Sequence, residues 1–193
     1  MDHKIELIEE YASKNNIPIM QKDGIEFLID YIKKHKIKKI LEIGTAIGYS
    51  SGRMALIDKD IQVTTIERDE SRYNEALKNL KDLDVESQVK VILDDAFNVE
   101  LDEKFDLIFI DAAKAQYIKF FEKFKHNLKE DGVIISDNLE FHGLTHGNQE
   151  NLSRNVKGIV RKLNLYIEFL KNNEEFNTEF IDLGDGIGIS TRK

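Results

Sequence analysis

The 193-residue chain has no cysteine, no tryptophan and a single proline, Pro18. Without cysteine it has neither a disulfide framework nor a thiolate metal site. With only Pro18, no proline-rich linker divides it. No apolar run approaches the roughly 20 residues that a membrane-spanning helix needs. The stretch Met1 to Glu10 is charged and helix-patterned, with no signal-peptide core. Positive charge is also short: 28 Lys and Arg stand against 36 Asp and Glu, a net charge of −8. That balance argues against strong non-specific nucleic-acid binding, though not against a local basic patch. Together these features predict a soluble cytoplasmic protein with no membrane association. The length suits one domain over 1–193, with N-terminal helices at 1–36 and a core at 37–193.

What is present is organised around Lys39 to Ser51. A short apolar run (Ile40, Leu41, Ile43) ends in a glycine turn from Gly44 to Gly48, and a helical segment with Met54, Ala55, Leu56 and Ile57 follows. Strand, tight loop and helix make the first half of a βαβ unit. Gly44 permits the sharp turn and a close ligand approach, and Gly48 stands where the helix begins. Glu67 ends the next apolar run, 23 residues after Gly44, where a carboxylate is placed to accept both hydroxyls of a ribose. The spacing G-x-x-x-G is neither the dinucleotide fingerprint nor the phosphate loop. A tight turn in some other α/β protein is the plainer alternative.

Hydrophobic patterning predicts a helix over 2–15 with Ile5, Ile8, Tyr11 and Ala12 on one face, then a break at Pro18. A second helix starts near Asp23 as its N-cap and ends in the basic run Lys33 to Lys39. Strands are expected near 39–43, 61–67, 88–93, 106–111 and 132–137, with helices between them. Tyr73, Ala76, Leu77 and Leu80 form one stripe; Tyr117, Phe120, Phe121, Phe124 and Leu128 form another. A loop at 139–150 carries His142 and His146, read as a substrate lid or as solvated side chains. A long helix at about 151–172 turns Val156, Ile159, Val160, Leu163, Ile167 and Leu170 inward, and Arg154, Lys157, Arg161 and Lys162 outward. Two antiparallel strands joined at Gly184-Asp185-Gly186 close the pattern. Repeated βα units imply a mostly parallel sheet with helices on both faces.

Asp111, Asp137 and Asn138 fall at the ends of two apolar runs that read as central strands. In open α/β sheets, ligands bind outside such strand ends. Two carboxylates and an amide oxygen suit a hard cation that keeps open positions. Mg²⁺ fits best, with Mn²⁺ or Ca²⁺ as alternatives. The plainer reading makes the two aspartates loop hydrogen-bonders.

The acidic-x-Gly-x-x-x-Gly turn at Glu42 to Gly48 resembles the first motif of class I S-adenosylmethionine-dependent methyltransferases. Phe109 to Tyr117, with Ile134-Ile-Ser-Asp-Asn138 and Gly143, resembles the cation-dependent O-methyltransferases of the catechol and caffeoyl-coenzyme A type. The Ile17-Pro-Ile-Met20 segment, Asp111 to Tyr117 and Gly184 to Ser190 look most like the bacterial tRNA 5-hydroxyuridine methyltransferases. This resemblance implies a Rossmann-like α/β fold: a mostly parallel seven-stranded sheet with an antiparallel C-terminal strand pair. It implies S-adenosylmethionine held by Glu67 at the ribose, by Ser50 and N–H groups near Gly48 at the carboxylate, by Asp95 beside Ala96 at the adenine, and by Met20 near the methyl. It makes Asp111, Asp137 and Asn138 the metal ligands and places Lys114 near the attacking hydroxyl, as general base or oxyanion stabiliser. Asp94 departs from the family pattern, standing where many relatives have glycine. The implied acceptor is the wobble hydroxyuridine of a tRNA anticodon. The alternatives are a small catechol-type molecule or, in another class, a non-catalytic S-adenosylmethionine- or nucleotide-binding module. A homodimer is implied as well.

Overall fold

The computed structural model describes residues 2–139 and 153–193. Seven strands form one sheet in the order β3-β2-β1-β4-β5-β7-β6. Strands β1 (Lys39–Ile43), β2 (Gln62–Glu67), β3 (Val89–Leu93), β4 (Phe105–Ile110) and β5 (Leu128–Ser136) run parallel. β7 (Ile187–Arg192) is antiparallel to β5, and β6 (Phe176–Ile181) pairs antiparallel to β7. This is the expected class I methyltransferase architecture, with the chain reversing at β1 so that β1 and β4 lie side by side.

Alternation along β4 shows why the sheet is covered on both faces. Leu107 and Phe109 join the layer holding Ile8, Leu28, Met54 and Leu80; Ile108 and Ile110 join the layer holding Phe121 and Leu163. The first layer comes from α1 (Asp2–Lys14), α2 (Lys22–His35), α3 (Tyr49–Ala55) and α4 (Glu70–Asp82). The second comes from α5 (Tyr117–Phe124) and α6 (Arg154–Lys171). Burying each such side chain contributes about 1.5–3 kcal/mol, which is why a strand apolar at nearly every position settles at the sheet centre.

Several expectations are corrected. α2 starts one residue before Asp23, and Gln21 at its cap makes no side-chain bond. In α1 only Ile8 and Ala12 are buried; Tyr11 lies at the exposed edge of the stripe. In α4, Leu77 is exposed and Asn79 turns inward, its Nδ2 donating to the Ile47 carbonyl at 2.9 Å. In α6, Tyr166 is fully buried where Ile167 was expected, its hydroxyl bonded to Ser136 Oγ at 2.6 Å. Leu128 opens β5 and does not extend the α5 stripe. No helix joins β3 to β4: Asp94 and Asp95 accept bonds from nearby N–H groups and set a tight turn there instead. The 139–150 loop, with Gly143, His142 and His146, lies outside the described residues beyond Leu139, as does the start of the 151–172 helix; α6 is described from Arg154, after Ser153 as its N-cap. No helix among the described residues is long and apolar enough to cross a membrane.

Candidate active site

The C-terminal ends of β1, β2, β3, β4 and β5 open onto one cavity of about 280 Å³. β1 leaves the sheet through Gly44 at φ +104°. A Cβ there would fall 2.1 Å from the Asp111 carbonyl oxygen, so glycine is required by the closeness of the two strand exits. The loop then binds back to β2. Glu67 Oε2 accepts the Ala46 N–H at 2.8 Å, and Oε1 accepts the N–H groups of Arg68 at 3.0 Å and Asp69 at 2.9 Å. A carboxylate offers about four acceptor positions. Glu67 is thus fixed in place with capacity left toward the cavity it lines.

Gly44, Met20, Ser50, Asp95, Ala96 and Asp111 also line this cavity. Gly48 does not. Its N–H is spent on the Thr45 carbonyl at 2.9 Å, and its small size serves α3 against α4, where a Cβ would meet Ala76 at 3.3 Å. Ser50 is not an open hydroxyl, because its Oγ donates to Glu42 Oε1 at 2.5 Å. Asp95 Oδ1 is engaged by the Phe97 N–H at 2.9 Å, and Asp94 by the Asp95 N–H at 2.7 Å and Asn98 Nδ2 at 3.0 Å. Asp94 thus stabilises the turn through its carboxylate, where a glycine would do so through conformational freedom. Phe97 stacks on Phe120 at 4.8 Å and closes that side.

The strand ends of β4 and β5 bring Asp111, Asp137 and Asn138 together. Asn138 Nδ2 lies 3.1 Å from Asp111 Oδ1 and 3.0 Å from Asp137 Oδ2. Asn138 holds a left-handed backbone, φ 62°, which asparagine tolerates better than most residues. The Tyr117 hydroxyl donates to the Asp137 carbonyl at 3.2 Å and pins the strand end. Burial raises the pKa of both carboxyls, with the Lys114 ammonium opposing the shift at Asp111 and the Asp111 charge adding to it at Asp137. Burial also lowers the pKa of Lys114, against the attraction of Asp111, Asp137 and Asp185. Deeper in, burial raises Glu42 to about 7, opposed by the Ser50 and Thr65 hydroxyls bonded to it.

Among the described residues no group of three His, Cys, Asp or Glu side chains has metal-binding geometry. The donor set fits a hard cation all the same: two carboxylates and a carboxamide converge within hydrogen-bond distance. Which end of the Asn138 amide faces them follows from the hydrogen-bond network, and a half-turn of that amide presents a third oxygen.

Sequence reasoning missed Asp185. The Gly184-Asp185-Gly186 turn is expected from the sequence as a hairpin end and as part of the resemblance, with no role for its carboxylate, yet it places a buried carboxylate whose charge acts on Asp111, Asp137 and Lys114. The turn is docked by the Leu139 N–H, which donates to the Gly186 carbonyl at 2.9 Å. An aspartate between two glycines was the available signal, since a turn alone does not require a carboxylate there.

The expected basic surfaces differ from one another. Lys38 pairs with Asp58 at 2.6 Å and Lys39 with Glu103 at 2.5 Å, so that run is partly neutralised. Arg154, Lys157, Arg161 and Lys162 lie exposed on α6, which packs against the turn carrying Lys114.

Comparison with known proteins bears on the family and the fold. A candidate caffeoyl-CoA O-methyltransferase from Staphylococcus aureus superposes with a TM-score of 0.92 at 41% identity, covering 98% of this chain and 92% of that one. The SAH-bound methyltransferase PaMTH1 of Podospora anserina gives 0.80 at 26%, covering 88% and 77%. A caffeoyl-CoA O-methyltransferase of Stellaria longipes is 30% identical over 174 residues, 83% of this chain and 70% of its own length. The sequence profile of the O-methyltransferase family matches residues 2–193, and the chain belongs to that family.

Proposed function

We propose that the protein is a divalent-cation-dependent O-methyltransferase that uses S-adenosylmethionine and acts on one of two adjacent oxygens of its acceptor. The observation that carries this reading is the convergence of Asp111, Asn138 and Lys114 at one end of a cavity whose other walls hold Met20, Glu67 and Asp95, with the buried Asp137 carboxylate against Asn138. The related PaMTH1 is SAH-bound, which supports S-adenosylmethionine as the methyl donor.

In this reading Glu67 takes one of the donor's ribose hydroxyls, Asp95 and Ala96 border the adenine, and Met20 packs beside the methyl. Asp111, Asp137 and Asn138 would hold Mg²⁺, with Mn²⁺ or Ca²⁺ as alternatives. Such a cation would lower the acceptor hydroxyl's pKa and fix its orientation. Lys114 Nζ, its pKa lowered by burial, takes the hydroxyl proton. The acceptor oxygen then forms its bond to the methyl carbon as the carbon–sulfur bond breaks, leaving a neutral thioether.

Two acceptors fit. A catechol-type small molecule is the reading the relatives favour, because the caffeoyl group is itself a catechol. A tRNA wobble hydroxyuridine is the second reading, favoured by the exposed basic face of α6 beside the turn bearing Lys114. At net −8, tRNA affinity would fall steeply with salt. A homodimer through the N-terminal helices belongs to the same reading; α1 leaves Leu7 51% exposed.

Labelled methyl transfer to undermodified tRNA and to a catechol, each with Mg²⁺ and with a chelator, tests the proposal. Chelator-sensitive label in the catechol supports small-molecule methylation, and the same in tRNA supports the anticodon reading. No label in either sinks the vicinal-oxygen reading.

A further inference from the structure

Asp185 is a carboxylate beside the donor set of Asp111, Asp137 and Asn138 that no step of the chemistry uses. It is only 8% exposed. The ladder between β5 and β7 ends at Ser136 opposite Gly188. Past that rung the Leu139 N–H donates to the Gly186 carbonyl at 2.9 Å, so the two chains stay side by side. Asn138 and Asp185 each stand one residue from that bond. The turn itself does not call for a carboxylate. The Gly186 N–H closes it on the Leu183 carbonyl at 3.0 Å, and Gly184 and Gly186 supply its left-handed backbone at φ 60° and 81°.

Burying a carboxylate is costly unless an opposite charge meets it. The Asp185 charge acts on Asp111, Asp137 and Lys114. Among the described residues, one ammonium, Lys114, is set against these three carboxylates. Three negative charges against one positive leave two in excess, which is the charge that one divalent cation would cancel. Without Asp185, a divalent cation beside Lys114 would leave the cluster positive. The three carboxylates do not share the geometry of a common metal shell. Asp185 would therefore act on an ion held by Asp111, Asp137 and Asn138 from outside its direct ligands.

We propose that Asp185 is a positioning residue of the cation site, an outer carboxylate whose charge lets the buried cluster hold a divalent ion beside the Lys114 ammonium. The proposal rests on the reading of Asp111, Asp137 and Asn138 as the ion's ligands. It gives the aspartate between the two glycines a task that the turn alone does not.

Asp185→Asn tests this with little change of shape. Calorimetric titration with the metal alone, in the absence of donor, compares the two chains. Mg²⁺ affinity should fall by about 10–100-fold, the usual cost of removing an outer partner from a metal site. Ca²⁺ and La³⁺ are similar in size and differ in charge. Electrostatic attraction scales with the ion's charge, so the loss for La³⁺ should exceed the loss for Ca²⁺ by about threefold or more. A merely structural role would weaken the two ions alike. Asp185 does not line the donor cavity, so S-adenosylhomocysteine affinity should be unchanged. Asp185→Ser, also a turn-forming residue, should show the same losses and covers the case in which Asp185→Asn fails to fold. Unchanged Mg²⁺ affinity in the variants, equal losses for Ca²⁺ and La³⁺, or an equal loss of S-adenosylhomocysteine affinity overturns the proposal while leaving the cation reading intact. A wild-type chain that binds no Mg²⁺ overturns the cation reading and the proposal with it.

Discussion

A side-chain carbon on Gly44 would lie 2.1 Å from the carbonyl oxygen of Asp111. The loop after β1 and the first residue of the proposed metal set therefore share one contact. Gly44→Ala combines that overlap with a φ of +104°, so it should destabilise the fold by about 3 kcal/mol. Thermal denaturation checks the size of the loss. A Tm within a degree of wild type would show that the strand exits can part.

Asp137→Ala or Asn138→Ala should abolish methyl transfer while leaving S-adenosylhomocysteine affinity largely intact. Mg²⁺ should also raise the Tm of the wild-type chain, because an ion bound only by the folded state stabilises it by about 2.7 kcal/mol at a hundredfold excess over its Kd. The Asp137→Ala chain should not respond. Equal Mg²⁺ responses from both chains would remove Asp137 from the metal set.

Glu67→Ala should weaken donor binding by about tenfold or more, measured as a Kd. The Ala46, Arg68 and Asp69 N–H groups lose their acceptor together, so the strap between the β1 loop and β2 goes too. An unchanged Kd would mean that the ribose lies elsewhere.

Stability should depend on pH through Glu42. Burial lifts its pKa from the ordinary 4.5 to about 7. The folded chain then keeps a proton that the unfolded chain releases between those values. The contribution is full below pH 4.5 and is lost as pH rises through about 7. Glu42→Gln removes the effect, so the variant should gain on wild type by about 3 kcal/mol across that window. Urea titrations of both chains at several pH values measure the difference, and parallel curves would mean that Glu42 titrates normally.

The mostly parallel sheet and the meeting of its strand-end residues were readable where a residue's place depends on local pattern. Gly44, Glu67, Asp111 and Asn138 each follow an apolar run, and strand ends gather by topology alone. What could not be read depends on partners distant in sequence. Whether Ser50 is open or spent is decided by Glu42, eight residues earlier on another element. Asn79 faces inward because a carbonyl at Ile47 awaits it, against its polarity. Tyr166 displaces Ile167 from the core because Ser136 offers its hydroxyl a partner. Asp185 looked like turn chemistry until β7 carried it to the strand ends.

The inner place of β7 orders the assembly of the molecule. Synthesis proceeds from the N-terminus, so β6 emerges before β7 yet has no strand to pair with until β7 has lain down beside β5. A nascent chain can thus have Asp111, Asp137 and Asn138 already translated while the hairpin that supplies Asp185 is still unassembled. The last strand to arrive completes the sheet, and methyl-transfer competence should appear abruptly when it docks.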